Sequence, residues 1–134
     1  MPRQRQKRKM LEPPKFKGYK PFGVTRAKHE YIDLLFEEYE AIKLADYQLL
    51  NHKEAGQIMG VSRATFARIY ENARRKIAEA MVETKQIRAV LGDVFFDLDW
   101  YLCNDCNERF TLKNHKNKEN CPTCKSDDLV PLNN

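Results

Sequence analysis

Four cysteines fall in the last third of the chain as two pairs, Cys103-x-x-Cys106 and Cys121-x-x-Cys124, with fourteen residues between them. Pairs at this spacing present four thiolates that close tetrahedrally around one metal ion at about 2.3 Å. Zn2+ suits such a set because it is borderline soft and has no redox chemistry. Four thiolates leave no open position for catalysis, so a single, structural ion is expected. From Trp100 onward the chain holds few aliphatic residues, and an ion would replace the missing core. In a reducing compartment the pattern favours a metal over disulfides. His115 would be a superfluous fifth donor, and its neighbours Lys113, Asn114, Lys116, Asn117 and Lys118 read as an exposed loop.

A second chemistry sits between Ser62 and Arg75. Ser62 is a good N-cap, and Phe66, Ile69, Ala73, Ile77 and Ala80 follow at spacings of three and four, a buried helical stripe that runs to about Met81. Projection at 100° per residue puts Ala64, Ala67, Arg68, Glu71 and Arg75 on the opposite face, with Arg63 at its flank. If the amino end of this helix enters a major groove, Arg63 and Arg68 can each donate two hydrogen bonds to guanine. Ala64 and Ala67 allow close approach and contact with thymine methyls, and Glu71 can accept from cytosine. Ser62 and Thr65 stand where helix N–H groups favour a phosphate. Plainer roles exist for the same residues: alanine is the best helix former, Glu71 and Arg75 suit an i,i+4 ion pair, and Ser62 and Thr65 suit caps. Arg74, Arg75 and Lys76 form a basic cluster farther along, better placed for backbone phosphates than for bases.

The elements that must position these residues can be read around them. Asn51-His52-Lys53-Glu54 has the form of a capping box and opens a short helix with Ala55, Ile58 and Met59 on one face. Gly60 allows a sharp reversal, and Gly56 offers the small crossing position that two steeply packed helices need. A preceding helix over about 30 to 47 is expected from Ile32, Leu35, Phe36, Tyr39, Ile42 and Leu44. After Thr84, the apolar runs Gln86 to Leu91 and Val94 to Leu98 flank Gly92-Asp93, which looks like a hairpin turn.

Residues 1 to 29 hold most of the prolines and a dense set of cations, Arg3, Arg5, Lys7, Arg8 and Lys9, and are expected to form a basic arm that neutralises phosphates. A solubilising tail is the plain alternative. Lys15-Phe16-Lys17-Gly18-Tyr19-Lys20-Pro21-Phe22 interleaves cations with rings that can stack on unpaired bases. The expectation here is instead that Tyr19 and Phe22 cover the helical core. Formal charge totals +8 over residues 1 to 30, −4 over 31 to 50, +4 over 51 to 90 and −3 over 91 to 134, giving the net +5 of the chain. The two positive blocks point to a polyanion, and the acidic tail points to protein contact. At 134 residues a large multidomain enzyme is excluded. No run approaches the roughly 20 apolar residues of a membrane span and the start lacks a signal-like apolar region, so a cytoplasmic protein without membrane association is expected. Catalysis is not expected either, because His29, His52 and His115 are scattered and no nucleophile or phosphate-cradling glycine loop appears.

The run Glu37-Glu38-Tyr39-Glu40-Ala41-Ile42-Lys43-Leu44-Ala45-Asp46, then Glu54-Ala55 and Met59-Gly60-Val61-Ser62-Arg63-Ala64-Thr65-Phe66-Ala67-Arg68-Ile69, resembles a family of small, uncharacterised prokaryotic proteins predicted to bind DNA. Their helix-turn-helix is similar to region 4 of bacterial sigma factors. Met1-Pro2-Arg3 and Tyr19-Lys20-Pro21-Phe22-Gly23 look like that family's opening, so the likeness covers roughly residues 1 to 90. The cysteine module is an addition to it. That module has zinc-ribbon spacing, although Cys121-Pro122-Thr123-Cys124 also looks like a rubredoxin-type knuckle.

The expected architecture is therefore a mainly α helix-turn-helix bundle followed by a small β zinc ribbon. It divides into an arm (1–29), the helix-turn-helix domain (30–85), a hairpin or linker that contributes a dimer contact (86–99) and the ribbon (100–134). The expected function is sequence-specific binding of double-stranded DNA in transcriptional regulation, as a homodimer, with the ribbon serving self-association or a protein partner. An RNA-binding accessory protein and a rubredoxin-like iron redox protein are the alternatives.

Overall fold

The structure is a computed structural model that describes residues 7–24, 30–111 and 120–133. Arg3 and Arg5, His115 and its neighbours therefore lie outside the described residues. Three short strands, β1 (Arg8–Met10), β2 (Gly18–Tyr19) and β3 (Tyr31–Leu35), precede α1 (Phe36–Ile42), which runs on as a π-helical turn over Lys43–Tyr47. Then come α2 (His52–Met59), α3 (Arg63–Glu83), β4 (Gln86–Val90) and β5 (Val94–Phe96). β6 (Trp100–Cys103), β7 (Arg109–Thr111) and β8 (Leu129–Pro131) complete the chain. Among the described residues no helix is long and apolar enough to cross a membrane.

The expected first helix starts later than its apolar spacing implies. Ile32 and Leu34 are buried while Tyr31 and Asp33 are exposed, the alternation of a half-buried strand. The same residues satisfy both periods, and the partner decides. β3 pairs in parallel with β4, Ile32 opposite Ile87 and Leu34 opposite Ala89. A parallel pair needs a long crossover, which the three helices supply. Helix α1 begins where the Leu35 N–H donates to Glu38 Oε1 at 2.9 Å.

The expected hairpin about Gly92-Asp93 does not form. β4 lies between β3 and the antiparallel β2, and β5 pairs in parallel with β1, Arg8 opposite Val94. The turn is held elsewhere: Asp93 N–H donates to Glu37 Oε2 at 3.0 Å, and a Cβ on Gly92 would stand 2.0 Å from Glu37 Oε1. The first twenty residues supply the partner of β5 and the second neighbour of β4, so residues 8 to 19 are not a free arm. Met10 is fully buried. Tyr19 and Phe22, expected to cover the core, are instead 62% and 97% exposed. Ile58 and Met81, expected on buried faces, are exposed as well.

Three clusters of side chains carry the packing. Ala41, Leu44, Ala55, Met59, Phe66 and Ile69 join α1, α2 and α3. Met10, Phe36, Val94 and Phe96 seal the β1–β5 pair beneath α1. Cys103 and Phe110 of the sheet β7-β6-β8 form the small third cluster with Cys121. Between α2 and α3 the reversal uses Gly60 at φ 70°, ψ 30°, and a Cβ at Gly56 would lie 2.9 Å from the Val61 carbonyl oxygen. His52 sits against Phe66 and Tyr70 at ring distances of 5.3 and 5.4 Å, a packing role.

Helix α1 buries three carboxylates, Glu37, Glu38 and Glu40. Glu38 is paired with Lys76 of α3 at 2.7 Å, and the same ammonium donates to the Asp33 carbonyl at 2.9 Å. Burial raises the Glu40 carboxyl above its ordinary value, with Lys43 at 3.6 Å opposing the shift.

Two stability outcomes are expected. Gly56→Ala should lower stability by about 1 to 3 kcal/mol, because the added methyl meets backbone that cannot rotate away. Lys76→Met should cost about 2 to 4 kcal/mol by leaving Glu38 buried and unpaired, whereas Arg74→Met should stay within about 0.5 kcal/mol. Denaturant unfolding of the three variants checks both.

Candidate nucleic-acid interface and metal centre

The amino end of α3 is built by its cap. Ser62 takes an extended conformation, φ −68° and ψ 160°, and its Oγ accepts from the Thr65 N–H at 3.1 Å. The Ser62 hydroxyl in turn donates to Thr65 Oγ1 at 3.0 Å, and Arg68 Nη2 donates to that same oxygen at 3.4 Å. The Ser62 hydroxyl thus caps the helix, Thr65 Oγ1 accepts from two side chains, and Arg68 is only loosely tied. Ser62, Arg63, Ala64 and Arg68 are exposed, Thr65 and Ala67 half-buried. The face projected from the sequence is therefore open at its amino end.

Farther along the helix the expected basic cluster does not hold together. Arg75 is paired with Glu71 at 2.8 Å, and both are well exposed. Arg74 lies over the Tyr70 ring at 5.4 Å, while Tyr70 donates to Asp46 at 2.6 Å, the hydrogen bond that raises its phenol above the usual range. Lys76 turns the other way, into the Glu38 pair. The arm cations are also engaged differently from expectation. In β1, Arg8 stands 3.6 Å from Asp93 and Lys9 3.6 Å from Asp97, because the β1–β5 pairing brings these acids alongside. Lys7 is exposed.

The cysteines come together as their spacing predicts. All four sulfurs lie within 4.8 Å of one another, with Cys103 Sγ 3.5 Å from Cys124 Sγ and Cys106 Sγ 3.6 Å from Cys121 Sγ. A tetrahedron with bonds of about 2.3 Å has edges of roughly 3.8 Å, so the four can hold a metal ion with little movement. Each pair is set by the same backbone loop. Cys103 N–H donates to the Glu108 carbonyl at 2.9 Å and Asn107 N–H to the Cys103 carbonyl at 2.8 Å. Cys121 N–H and the Ser126 carbonyl, and Lys125 N–H and the Cys121 carbonyl, repeat this at 2.8 and 2.9 Å. Asn107 and Lys125 hold matching positive φ of 63° and 64°, a position that few non-glycine residues take. Ser126 bonds to Asp105 and so links the two loops.

The donor set also has the electrostatics of a metal site. Burial raises the Cys121 thiol, but N–H groups of Cys124 and Thr123 and the thiols of Cys106 and Cys124 outweigh it and bring it down to about 7. The Glu108 backbone lowers Cys106, yet desolvation and contact with Cys121, Cys124 and Cys103 push it up to about 12. Cys121 ionises more readily than a free thiol while Cys106 and Cys124 resist, a repulsion that a divalent cation removes.

Sequence reasoning missed two features. The pairing of Arg8 and Lys9 with acids more than eighty residues away had no local signal. A cavity where β2 and β4 face the loop before β7 was also missed, although the aromatic and basic residues from Lys15 to Lys20 that line it were noted.

A family model described as Protein of unknown function DUF134 matches residues 1–96. A UPF0251 protein of Chloroherpeton thalassium is 42% identical over 132 residues, 98% of this chain and 87% of that protein. A UPF0251 protein of Caldicellulosiruptor saccharolyticus is 38% identical over 129 residues, 96% of this chain and 88% of its own length. One from the archaeon Methanothermobacter thermautotrophicus is 35% identical over 129 residues, 96% of this chain and 67% of its own. These alignments extend into the cysteine module that the family model leaves out. No solved structure matches the chain.

Stripping the metal with a chelator, or Cys121→Ser, is expected to collapse the amide dispersion of residues 100 to 111 and 120 to 133 while the helical far-ultraviolet signal persists. Elemental analysis should give one ion per chain. A tail whose amide spectrum survives chelation would show that the ion is dispensable to it.

Proposed function

This chain belongs to the family described as Protein of unknown function DUF134, and on the geometry of its own residues we propose that it is a sequence-specific double-stranded-DNA-binding protein, a transcriptional regulator. In this reading α2 and α3 are a helix-turn-helix, and the three-stranded cysteine module is a ribbon organised by one structural Zn2+. The observation that carries it is the open amino end of α3, where Arg63 and Arg68 stand exposed beside small residues. A helix end of this kind fits a major groove. Alanines at 64 and 67 let the backbone approach, and the two guanidinium groups can reach guanine O6 and N7. Arg68 has only a 3.4 Å bond to Thr65 to give up, so its release costs little. Ser62 and Thr65, with the free N–H groups of the first turn, suit a phosphate. Arg75, held by Glu71, suits a phosphate at the rim, and Glu71 is the weaker base-contact candidate because that pair occupies it.

In this reading the cysteine module takes no part in contact with the phosphates of the duplex. Four thiolates around a divalent ion leave a net −2, in a module (100–134) whose five acidic and five basic side chains otherwise cancel. That charge suits a protein partner or a second copy of the chain. Exposed Met81 and Val82 near the end of α3 offer apolar surface for self-association, and a two-fold dimer would read two half-sites.

The test starts from duplexes selected out of a random pool. Arg68→Ala is expected to weaken the selected site by about 1 to 3 kcal/mol and to relax one base position, whereas Lys7→Ala should weaken all duplexes alike and flatten the log-log salt slope by about 1. Unchanged selectivity in both Arg63→Ala and Arg68→Ala would remove the helix from the role. Tighter binding of single-stranded RNA than of any duplex would favour an RNA partner.

A further inference from the structure

The cavity between the β2–β4 sheet and the cysteine module has a volume of about 520 Å³, within the range of roughly 300 to 1,000 Å³ typical of small-ligand sites. Its charge is one-sided. Lys15, Lys17, Lys20, Arg88 and Arg109 line it, and no Asp or Glu does, in a chain with 19 acidic residues. Arg88 is held from outside by Asp33 at 2.9 Å. The other four cations make no ion pair among the described residues. Arg109 is the most constrained of them. Its Nη1 donates to the Asn107 carbonyl of its own loop, and its Nε is buried with no hydrogen-bond partner among the described residues. Burying an unsatisfied donor on a cation is costly, and the charge of an anion in the cavity beside the guanidinium would offset part of that cost.

Apart from Gln86 and Asn107, the rest of the lining is aromatic or apolar. Phe16 and Tyr19 meet edge to face at 4.7 Å, and Tyr31 lies under the Arg88 guanidinium at 5.2 Å from its centroid. Tyr19 and Tyr31 keep exposed ring surface at the same cavity. Gly18 explains how β2 comes so close, since a Cβ there would lie 2.1 Å from the Ile87 carbonyl oxygen. Rings and cations without carboxylates select a ligand with both a planar face and negative charge. A bare phosphate would leave the rings unused. A duplex is read from a surface, and its stacked bases offer no face to a concave site.

We propose that this cavity binds a nucleoside polyphosphate, its base against Tyr19 and Tyr31 and its phosphates among Lys17, Lys20, Arg88 and Arg109. The ligand spans two parts of the molecule, since Arg88 belongs to β4 whereas Arg109 opens β7, two residues beyond the knuckle residue Asn107. Its binding therefore ties the cysteine module to the sheet. The site does not depend on what α3 does.

Titration calorimetry on the full-length, metal-loaded chain without DNA tests this, using ATP, GTP, inorganic tripolyphosphate, adenosine, guanosine and a short single-stranded oligothymidylate as separate probes. At least one nucleoside triphosphate is expected to bind with one-to-one stoichiometry and about tenfold or more tighter than tripolyphosphate or either nucleoside. Arg109→Gln and, in the sheet half, Lys17→Gln should each weaken it by about tenfold with metal content unchanged. Tyr19→Ala should remove the preference over tripolyphosphate. Tripolyphosphate binding as tightly as both nucleotides, absence of saturable nucleotide binding, or tighter binding of the oligothymidylate would each overturn the assignment. Because DNA is absent, none of these outcomes bears on the α3 reading.

Discussion

The parallel pairing of Tyr31–Leu35 with Gln86–Val90 is the constraint on which the helical half depends. It joins the two ends of a segment that would otherwise be three helices with a modest common core. Closing so long a loop is entropically costly, and the closure is reinforced where the strand meets the helices. Lys76 reaches from α3 to the carbonyl of Asp33 in the strand and to Glu38 in α1, so one ammonium links three elements. The open amino end of α3 is thus the far end of a helix whose middle is anchored to the sheet.

That anchoring is electrostatic as much as apolar, and it shows why a count of cations misleads. Three carboxylates on one short helix are buried, and each meets a different circumstance. Glu38 has an ammonium, Glu37 takes the Asp93 N–H, and Glu40 is pushed toward its neutral form by burial, with only Lys43 to oppose it. Arg8 and Lys9 are likewise neutralised by acids beside β5. The cations without an ion pair among the described residues include Arg63 and Arg68 at the start of α3 and Lys15, Lys17, Lys20 and Arg109 at the cavity beside β4, with Lys7, Lys53, Arg74 and Lys125 elsewhere.

What could be read from the chain alone was what is local. The cysteine spacing, the capping box at Asn51 and Glu54 and the reversal at Gly60 are each specified within a few residues, and the Asn51 and Glu54 bonds form at 2.8 and 3.2 Å. The strands were not legible because their partners are distant. Tyr31–Leu35 satisfies helical and alternating periods equally, and only Gln86–Val90, fifty-five positions on, selects between them. Gly92-Asp93 carried the residues of a hairpin turn, but Glu37 captures that turn and sends the following strand to β1. The same distance hid the engagement of Lys76, which sits in a basic run in the sequence and faces a buried acid in the fold.

The two halves of the molecule meet through residues whose positions are fixed by unrelated means. On one side Arg88 is set by strand pairing and by Asp33. On the other, Arg109 follows a loop whose positive-φ residue Asn107 is held by the Cys103 carbonyl, so its place depends on the knuckle that the four thiols close. A metal ion at the cysteines would therefore fix more than the tail. By setting the knuckle it would set the guanidinium that faces β4, and the geometry of the intervening cavity would follow from coordination on one wall and hydrogen-bonded strands on the other. Rigid walls of independent origin favour a ligand that touches both, because the cost of ordering the cationic side chains is reduced before it arrives.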